Sequence, residues 1–522
     1  MNTNLPGPEL VDVVVVGGGP AGLSAALVLG RSRRSVVVVD AGEPRNAPAD
    51  GMHNYLGHEG LPPRELAAIG REEVSRYGVR VLDGRVVAAS RDEGHHPRFT
   101  LELADGSRLR SRRVVLATGL VDELPDVAGL ADRWGRDVLH CPYCHGWEVR
   151  DQRIGVLVTG PAGAHHAGLF RQLSDDVTLL LNGHHLEHAV TGGLHARDVA
   201  MIEGAVTEVV VTDDALSGVR LADGTVVELD ALVVAPFFRA TTELGTSLGV
   251  PETPVAMGDV VVATAAETDA RGATAVPGVW AAGNATHPMA TVIASAAEGT
   301  QSGAALNADL VEEDTALAIA DRRASYREPG AWDERYTAGA AVWSGRVNPQ
   351  LPTEVEGLTP GTALDVGSGE GGDALWLAEQ GWHVTGLDFS HAGLQRAEDA
   401  AEAAGLGDRT QWRQADVRTW EPGEERWDLV TTHYLHLVGE EMLRAVPRLA
   451  SAVAPGGTLL VVGHHPEDVG GFAGDDDHYS MDDLAATLGD GWDVRTALVE
   501  RTGTGHGEHV VVRDAVLRAT RR

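Results

Sequence analysis

The chain has 522 residues, 43% hydrophobic and 23% charged, with only 2 Cys. This is globular composition on a length that predicts about three domains, which excludes a wholly disordered chain and a small disulfide scaffold. Asp plus Glu number 76 against 42 Lys plus Arg, a net charge of -34. Phosphate backbones and anionic lipid are repelled by such a surface, so neither nucleic acid nor membrane is an expected partner. The basic residues are all Arg, with no Lys, which removes Schiff-base and lysine general-base chemistry. The first residues, MNTNLPGPEL, carry no basic-then-apolar leader, and no apolar run reaches the roughly 18 residues of a membrane span. A cytoplasmic location is expected.

In chain order, the first element is an apolar run, Val13–Val16, leading into Gly17-x-Gly19-x-x-Gly22 and a helical pattern. Such glycines allow a tight turn and let a pyrophosphate approach the helix N-terminus. A second strand, Val36–Val39, ends in Asp40, placed to accept hydrogen bonds from ribose hydroxyls. Val114–Ala117 is a further strand that ends in a small-residue turn at Thr118-Gly119. Then come Cys141 and Cys144, spaced C-x-x-C, followed by His145. In a reducing compartment this pair is catalytic or metal-binding more often than structural.

A weaker strand-turn-helix follows, Ile154–Val158 into Thr159–Ala164, with another strand at Val177–Leu181. Gly278–Asn284 is a strand and turn containing Gly283-Asn284, followed by a helical run from Ala290 to Leu310. Ala304–Arg327 is helical in pattern, and Pro329-Gly330 reads as a helix stop and linker. The last strand-turn-helix is Ala363–Val366 into Gly367-x-Gly369-x-Gly371. Gly474–Asp477 reads as a solvated acidic loop.

A zinc reading of the C-x-x-C lacks a second ligand pair, since no other Cys exists and several His are adjacent pairs such as His95-His96, His165-His166 and His464-His465. His184-His185-Leu186-Glu187-His188 matches H-x-x-E-H but follows a turn signal, Asn182-Gly183, and is taken as a chance match. No metal site is expected. Two thiols in this spacing close a small disulfide, and an imidazole beside them can take and give a thiol proton.

Residues 10–312 resemble the low-molecular-weight thioredoxin reductase family. The resemblance implies an FAD domain interrupted by an NADPH domain that carries the redox pair. It assigns Gly17, Gly19, Gly22, Asp40, Thr118, Gly119, Gly283 and Asn284 to FAD. Asn284 stands where the family has an Asp for the ribityl chain. By the same resemblance Cys144 faces the flavin and Cys141 meets the outside partner, with His145 in place of the family's acid, and the protein is expected to be a homodimer. One part departs from the family. Its nicotinamide turn reads G-G-G-D-S-A, where this chain has Thr159-Gly160-Pro161-Ala162-Gly163-Ala164, and Pro161 removes a backbone donor. The family's H-R-R segment is replaced by Asn182–Glu187, without Arg. NADPH binding is therefore expected to be weakened or lost. Motif and departure together resemble the dithiol oxidases of the same superfamily.

Asp365-x-Gly367-x-Gly369-x-Gly371 opens a half that resembles class I S-adenosylmethionine-dependent methyltransferases of the tellurite-resistance and thiopurine type. The resemblance implies that Asp365, Gly367, Gly369 and Gly371 hold the amino-acid end of the donor, that Asp388, ending the strand Val384–Leu387, takes the ribose, and that Asp416 meets the adenine. Trp427–Val430 reads as the fourth strand, with Pro455–Gly457 turning into the fifth. Trp332-Asp333-x-x-Tyr336 and Trp343 are candidates for a lid, and His433, Tyr434, His436, His464 and His465 for the acceptor side.

The expected fold class is α/β: a two-domain thioredoxin reductase-like FAD/NAD(P) fold plus a C-terminal Rossmann-like methyltransferase domain. The expected division is 1–120 (FAD, first part), 121–240 (NAD(P)-like, with the C-x-x-C), 241–325 (FAD, second part, and linker helix) and 326–522 (methyltransferase). The expected function is a bifunctional thiol–disulfide oxidoreductase and methyltransferase acting on small thiol or chalcogen compounds, with oxygen as acceptor. The alternatives are an NADPH-dependent detoxifying reductase with an unrelated methyl acceptor, and a non-enzymatic redox sensor.

Overall fold

The computed structural model describes residues 9–522 except 93, 95, 340–341, 436, 438, 466–478 and 506–507. His436, His95 and the Gly474–Asp477 segment lie outside the described residues. The chain forms two compact units, residues 1–313 and 314–522.

In the first unit, Leu10–Val16 is the centre of a parallel sheet, flanked by Val36–Asp40 on one side and Arg108–Leu116 on the other. Val13, Val14 and Val15 are fully buried, because helices and strands cover both faces; this is why the run is apolar throughout rather than alternating. Val279–Ala281 returns to pair parallel with residues 114–116. Between these, the chain leaves the sheet and builds an insertion. The outgoing strand Leu120–Glu123 and the returning strand Phe237–Ala240 pair antiparallel. The insertion has its own five-stranded sheet, in the order Ala200–Ile202, Val177–Leu180, Ile154–Leu157, Ala231–Val233, Val138–Leu139.

The two helical runs after Gly283 are one helix, Val292–Ser325. The units divide inside it, upstream of the boundary expected at 325. Just before the division, Glu313 ties the helix to the flavin-type part through Arg98 (2.7 Å), Arg112 (3.2 Å) and Arg113 (2.7 Å). Pro329-Gly330 does not serve as a linker; it opens a new helix, Pro329–Thr337, since proline's missing N–H costs nothing at the first helical position.

The second unit is a seven-stranded sheet in the order Thr410–Gln414, His383–Asp388, Thr362–Val366, Trp427–His433, Val453–His464, Glu508–Arg521, Trp492–Gly505. The first five strands run parallel and the last two form an antiparallel hairpin. Pro455–Gly457, expected as a turn, lies within the strand Val453–His464. It forms a bulge where the pairing skips from Trp427–Val453 to Leu429–Thr458. The chain reverses direction across the sheet between Thr362–Val366 and Trp427–His433, so the strand ends at Val366 and His433 bound the crevice in which ligands of such sheets sit.

Candidate functional site

The turn after Leu10–Val16 is built by contact. Gly17 has φ 107°, and a Cβ there would lie 2.2 Å from the Ala117 carbonyl oxygen. A Cβ on Gly22 would lie 1.9 Å from the Gly17 carbonyl oxygen. Gly19, by contrast, meets nothing within 4 Å, so the position at the start of helix Pro20–Arg31 opens onto free space. This is the arrangement a pyrophosphate needs. The late motif comes to the same place: a Cβ on Gly283 would lie 2.8 Å from the Ala21 Cβ. The Asn284 amide donates to the carbonyls of His287, Pro288 and Ala290 at 3.2, 3.3 and 2.9 Å, so Asn284 holds its own loop and keeps its amide oxygen to accept a hydroxyl. Gly119 (φ 67°) and Thr118 close the junction with the insertion, the Thr118 hydroxyl donating to the Thr241 carbonyl at 2.5 Å.

Asp40 accepts from the backbone of Gly18 and Gly42 at 3.2 Å each, and Arg71 binds the same carboxylate while reaching Asp83 at 2.6 Å. Arg71 and Glu298, which accepts from Gly283 N at 2.9 Å, went unread in the sequence. They stand far along the chain on separate helices and match no motif.

Cys141 and Cys144 are joined as a disulfide, with Cα atoms 5.2 Å apart, on the one-turn helix Pro142–His145. Tyr143 (69% exposed) and Trp147 (64%) flank the pair. Burial pushes the His145 imidazole below its usual range, against the raising effect of Glu148. His140, just before the pair, packs edge-on against His166 (4.9 Å) and Phe238 (5.2 Å). Burial lowers both imidazoles, His166 to about 4.

In the insertion, the Thr159 hydroxyl donates to the Ala235 carbonyl at 2.9 Å. Asn182 turns inward, accepting from Val206 N at 2.9 Å and donating to the Val158 carbonyl at 3.4 Å. Thr159 and Asn182 are thus both bonded to the insertion's own backbone. His184–Glu187 precede the helix His188–His195, so His184 and His188 do not stand on one helical turn.

In the second unit Gly367, Gly369 and Gly371 have φ of 75°, 50° and 83°. The Tyr336 hydroxyl would lie 2.8 Å from a Cβ on Gly369, and it accepts from Trp343 Nε1 at 3.2 Å. Trp332 stacks on Tyr336 at 5.7 Å. The lid candidates therefore lie against the glycine turn. Glu370 fastens them, accepting from Val342 N (3.1 Å) and Trp343 N (2.9 Å). Burial raises Asp388, and its hydrogen bonds from Ser390 N (2.8 Å) and Gly369 N (2.9 Å) work against that rise. Burial, with Asp373 and Asp388 close by, also raises Asp365, against the lowering effect of the Ala374 backbone. Burial alone would raise Asp416, but Arg418 carries it below its usual range, with Nη2 at 2.6 Å.

On the acceptor side, His433 Nδ1 lies 2.9 Å from Asp373. Tyr434, at φ 52°, stacks on His464 (4.2 Å) and donates to the fully buried Asp514 at 2.6 Å, which lifts its hydroxyl to about 12, with burial the larger cause. Asp514 also takes Arg501 (2.7 Å) and Gln350 (3.0 Å). His465 is placed at the strand end by its backbone donor to the Arg513 carbonyl at 3.0 Å. Asp514 and Arg501 were missed because they lie on the last hairpin, outside every nucleotide motif.

Residues 11–303 match the pyridine nucleotide-disulphide oxidoreductase family, and residues 363–457 match a methyltransferase domain. Thioredoxin reductase tcpT of Claviceps purpurea is 35% identical over 289 residues, covering 53% of this chain and 87% of its own length. Thioredoxin reductase sirT of Leptosphaeria maculans is 31% identical over 324 residues, covering 59% and 97%. The crystal structure of HlmI is similar with a TM-score of 0.56 at 47% identity, covering 60% of this chain and 96% of that one. The described residues include no helix long and apolar enough to cross a membrane. With the glycine turn, the disulfide insertion and the second sheet in place, the chain belongs to the pyridine nucleotide-disulphide oxidoreductase family, as a thioredoxin reductase-like oxidoreductase fused to a methyltransferase domain.

Proposed function

We propose that the first unit oxidises small dithiols to disulfides with FAD and oxygen, and that the second methylates a thiol or related chalcogen from S-adenosylmethionine. One observation carries the reading: the flavin-type turn at Gly17–Gly22 is open at Gly19 and Cys141 and Cys144 are joined as a disulfide, while the insertion's turn carries Pro161 and spends Thr159 and Asn182 on the insertion's own backbone.

A substrate thiolate attacks Cys141 Sγ, and the Cys141–Cys144 bond breaks with its electron pair going to Cys144. The second substrate thiol then attacks the mixed disulfide and releases Cys141, so the substrate leaves as a disulfide. Two electrons and two protons stay with the cysteine pair. His145, whose imidazole burial holds below its usual range, accepts the proton of the attacking thiol and passes it to the Cys144 thiolate, so both protons remain on the cysteine pair. Gly17, Gly19, Gly22, Gly283 and Asn284 would hold FAD, which supplies a two-electron acceptor that oxygen reoxidises. In the second unit Gly367–Gly371 and Asp388 would hold the donor, which supplies the methyl carbon. A thiolate needs little base assistance, so the chain's work there is to position it and exclude water. Asp416, engaged by Arg418, fits adenine recognition only if that pair opens.

Oxygen uptake with dithiothreitol tests the redox reading: the wild type turns over and Cys144→Ser does not. Equal turnover by both proteins refutes it. The names of the two fungal relatives favour a second reading, an NADPH-dependent reductase. Rapid flavin bleaching by micromolar NADPH would establish that reading instead.

A further inference from the structure

The dithiol helix Pro142–His145 is a single turn, and one turn of helix has no stability of its own. Its neighbours therefore set where the sulfurs sit. On the insertion side the packing is close: a Cβ on Gly146 would lie 2.4 Å from the Leu173 side chain. On the other side, a loop of the flavin-type part reaches across. Asn54, at φ 62°, donates from Nδ2 to the Tyr143 carbonyl, between the two cysteines. His53 stands between two carboxylates, with Nδ1 2.7 Å from Glu59 and Nε2 3.3 Å from Glu148. Glu59 also accepts from Asn54 N at 2.9 Å, so one carboxylate fixes both residues before they reach the dithiol segment. The left-handed backbone suits Asn, whose short polar side chain tolerates it.

We infer that His53 and Asn54 are positioning residues for the redox step: they hold the Cys141–Cys144 turn in place against the flavin-type part from across the insertion boundary. The inference rests on the dithiol reading above. A displacement of about 1 Å in a reacting group can cost 10²-fold in rate, and a one-turn helix released on this side has little else to prevent such a shift.

The test is anaerobic mixing of the FAD-loaded full chain with dithiothreitol, following loss of flavin colour. Wild-type bleaching supports the dithiol reading; its absence overturns both that reading and this inference. Given wild-type bleaching, His53→Ala and Asn54→Ala are expected to lower the limiting rate on the order of 10- to 100-fold. The half-saturating dithiothreitol concentration should stay unchanged, and His53→Gln, which keeps a side-chain donor, should recover much of the rate. Glu148→Ala breaks the same link from an exposed side chain on the insertion. It is expected to slow the wild type but to add nothing to His53→Ala, since residues joined by one contact are not additive. Wild-type limiting rates in the His53 and Asn54 alanine variants, an effect confined to half-saturation, or full additivity of His53→Ala with Glu148→Ala would each overturn the inference.

Discussion

Two turns of the first unit share a plan and differ in what surrounds them. At residues 17–22 a buried valine strand ends in glycines whose missing side chains let Ala117 and Gly17 close in, leaving Gly19 open. An ion pair, Asp40 with Arg71, stands beside it. At residues 159–164 a strand of the same kind, Ile154–Leu157, is equally buried. Its turn, however, carries a proline and a threonine bonded to Ala235, and burial holds the nearby His166 imidazole well below its usual range. The apolar strand and the packing glycine are what the fold needs; open donors and charge are what a dinucleotide needs. The second set can change while the first persists.

The sharpest way to break this comparison is a methyl group. Gly22→Ala puts a carbon 1.9 Å from the Gly17 carbonyl and should abolish flavin retention, read from visible absorbance of the purified protein. Gly160→Ala meets nothing within 4 Å and should leave colour and turnover unchanged. A yellow Gly22→Ala protein would show that the first turn is not the cofactor cradle.

The next largest effect concerns nicotinamide. Each lost charge-assisted phosphate hydrogen bond forfeits about 1.5–3 kcal/mol. Two such losses weaken binding roughly 10²–10⁴-fold. Reduction of the flavin by NADPH should accordingly demand concentrations far above those of a reductase, as measured by rapid mixing.

The third strand-turn-helix, at residues 365–371, extends the comparison. Asp388→Ala removes the carboxylate that orders Gly369 N and Ser390 N. Donor affinity should fall about 10- to 100-fold in calorimetric titration with S-adenosylmethionine, with dithiol turnover unaffected. A fall in flavin chemistry would contradict separate sites.

The smallest effect is one of pH. Burial lowers His140, His145 and His166, the last to about 4. In the unfolded chain they protonate near the ordinary value of about 6.5. Below that pH the unfolded state binds more protons, so the stability these three groups contribute declines from about pH 6.5 down to about pH 4 and is constant above. His166 alone contributes on the order of 2–3 kcal/mol to the decline. Urea unfolding across this range should lose that part of the slope in His166→Gln.

The strands at Val13–Val16, Val36–Val39, Ile154–Val158, Ala363–Val366 and Trp427–Val430 and the glycine turns were readable in the chain because they are local. An apolar run reports burial on both faces, and a glycine at a fixed offset reports a turn or a close approach where a side chain would be in the way. The same locality made the C-x-x-C and the departure at Thr159–Pro161 visible. What the linear order withheld depends on residues meeting from a distance. Arg71 on Asp40, Glu298 on Gly283, Asp514 under Tyr434 and the three arginines on Glu313 are polar partners chosen by folding, and a lone Asp or Arg carries no signature of the partner it will find. Pro329-Gly330 shows the limit within local reading. Proline reports that a helix cannot continue through it, but only the packed chain settles whether the residues after it are a linker or, as here, the first turn of the next helix.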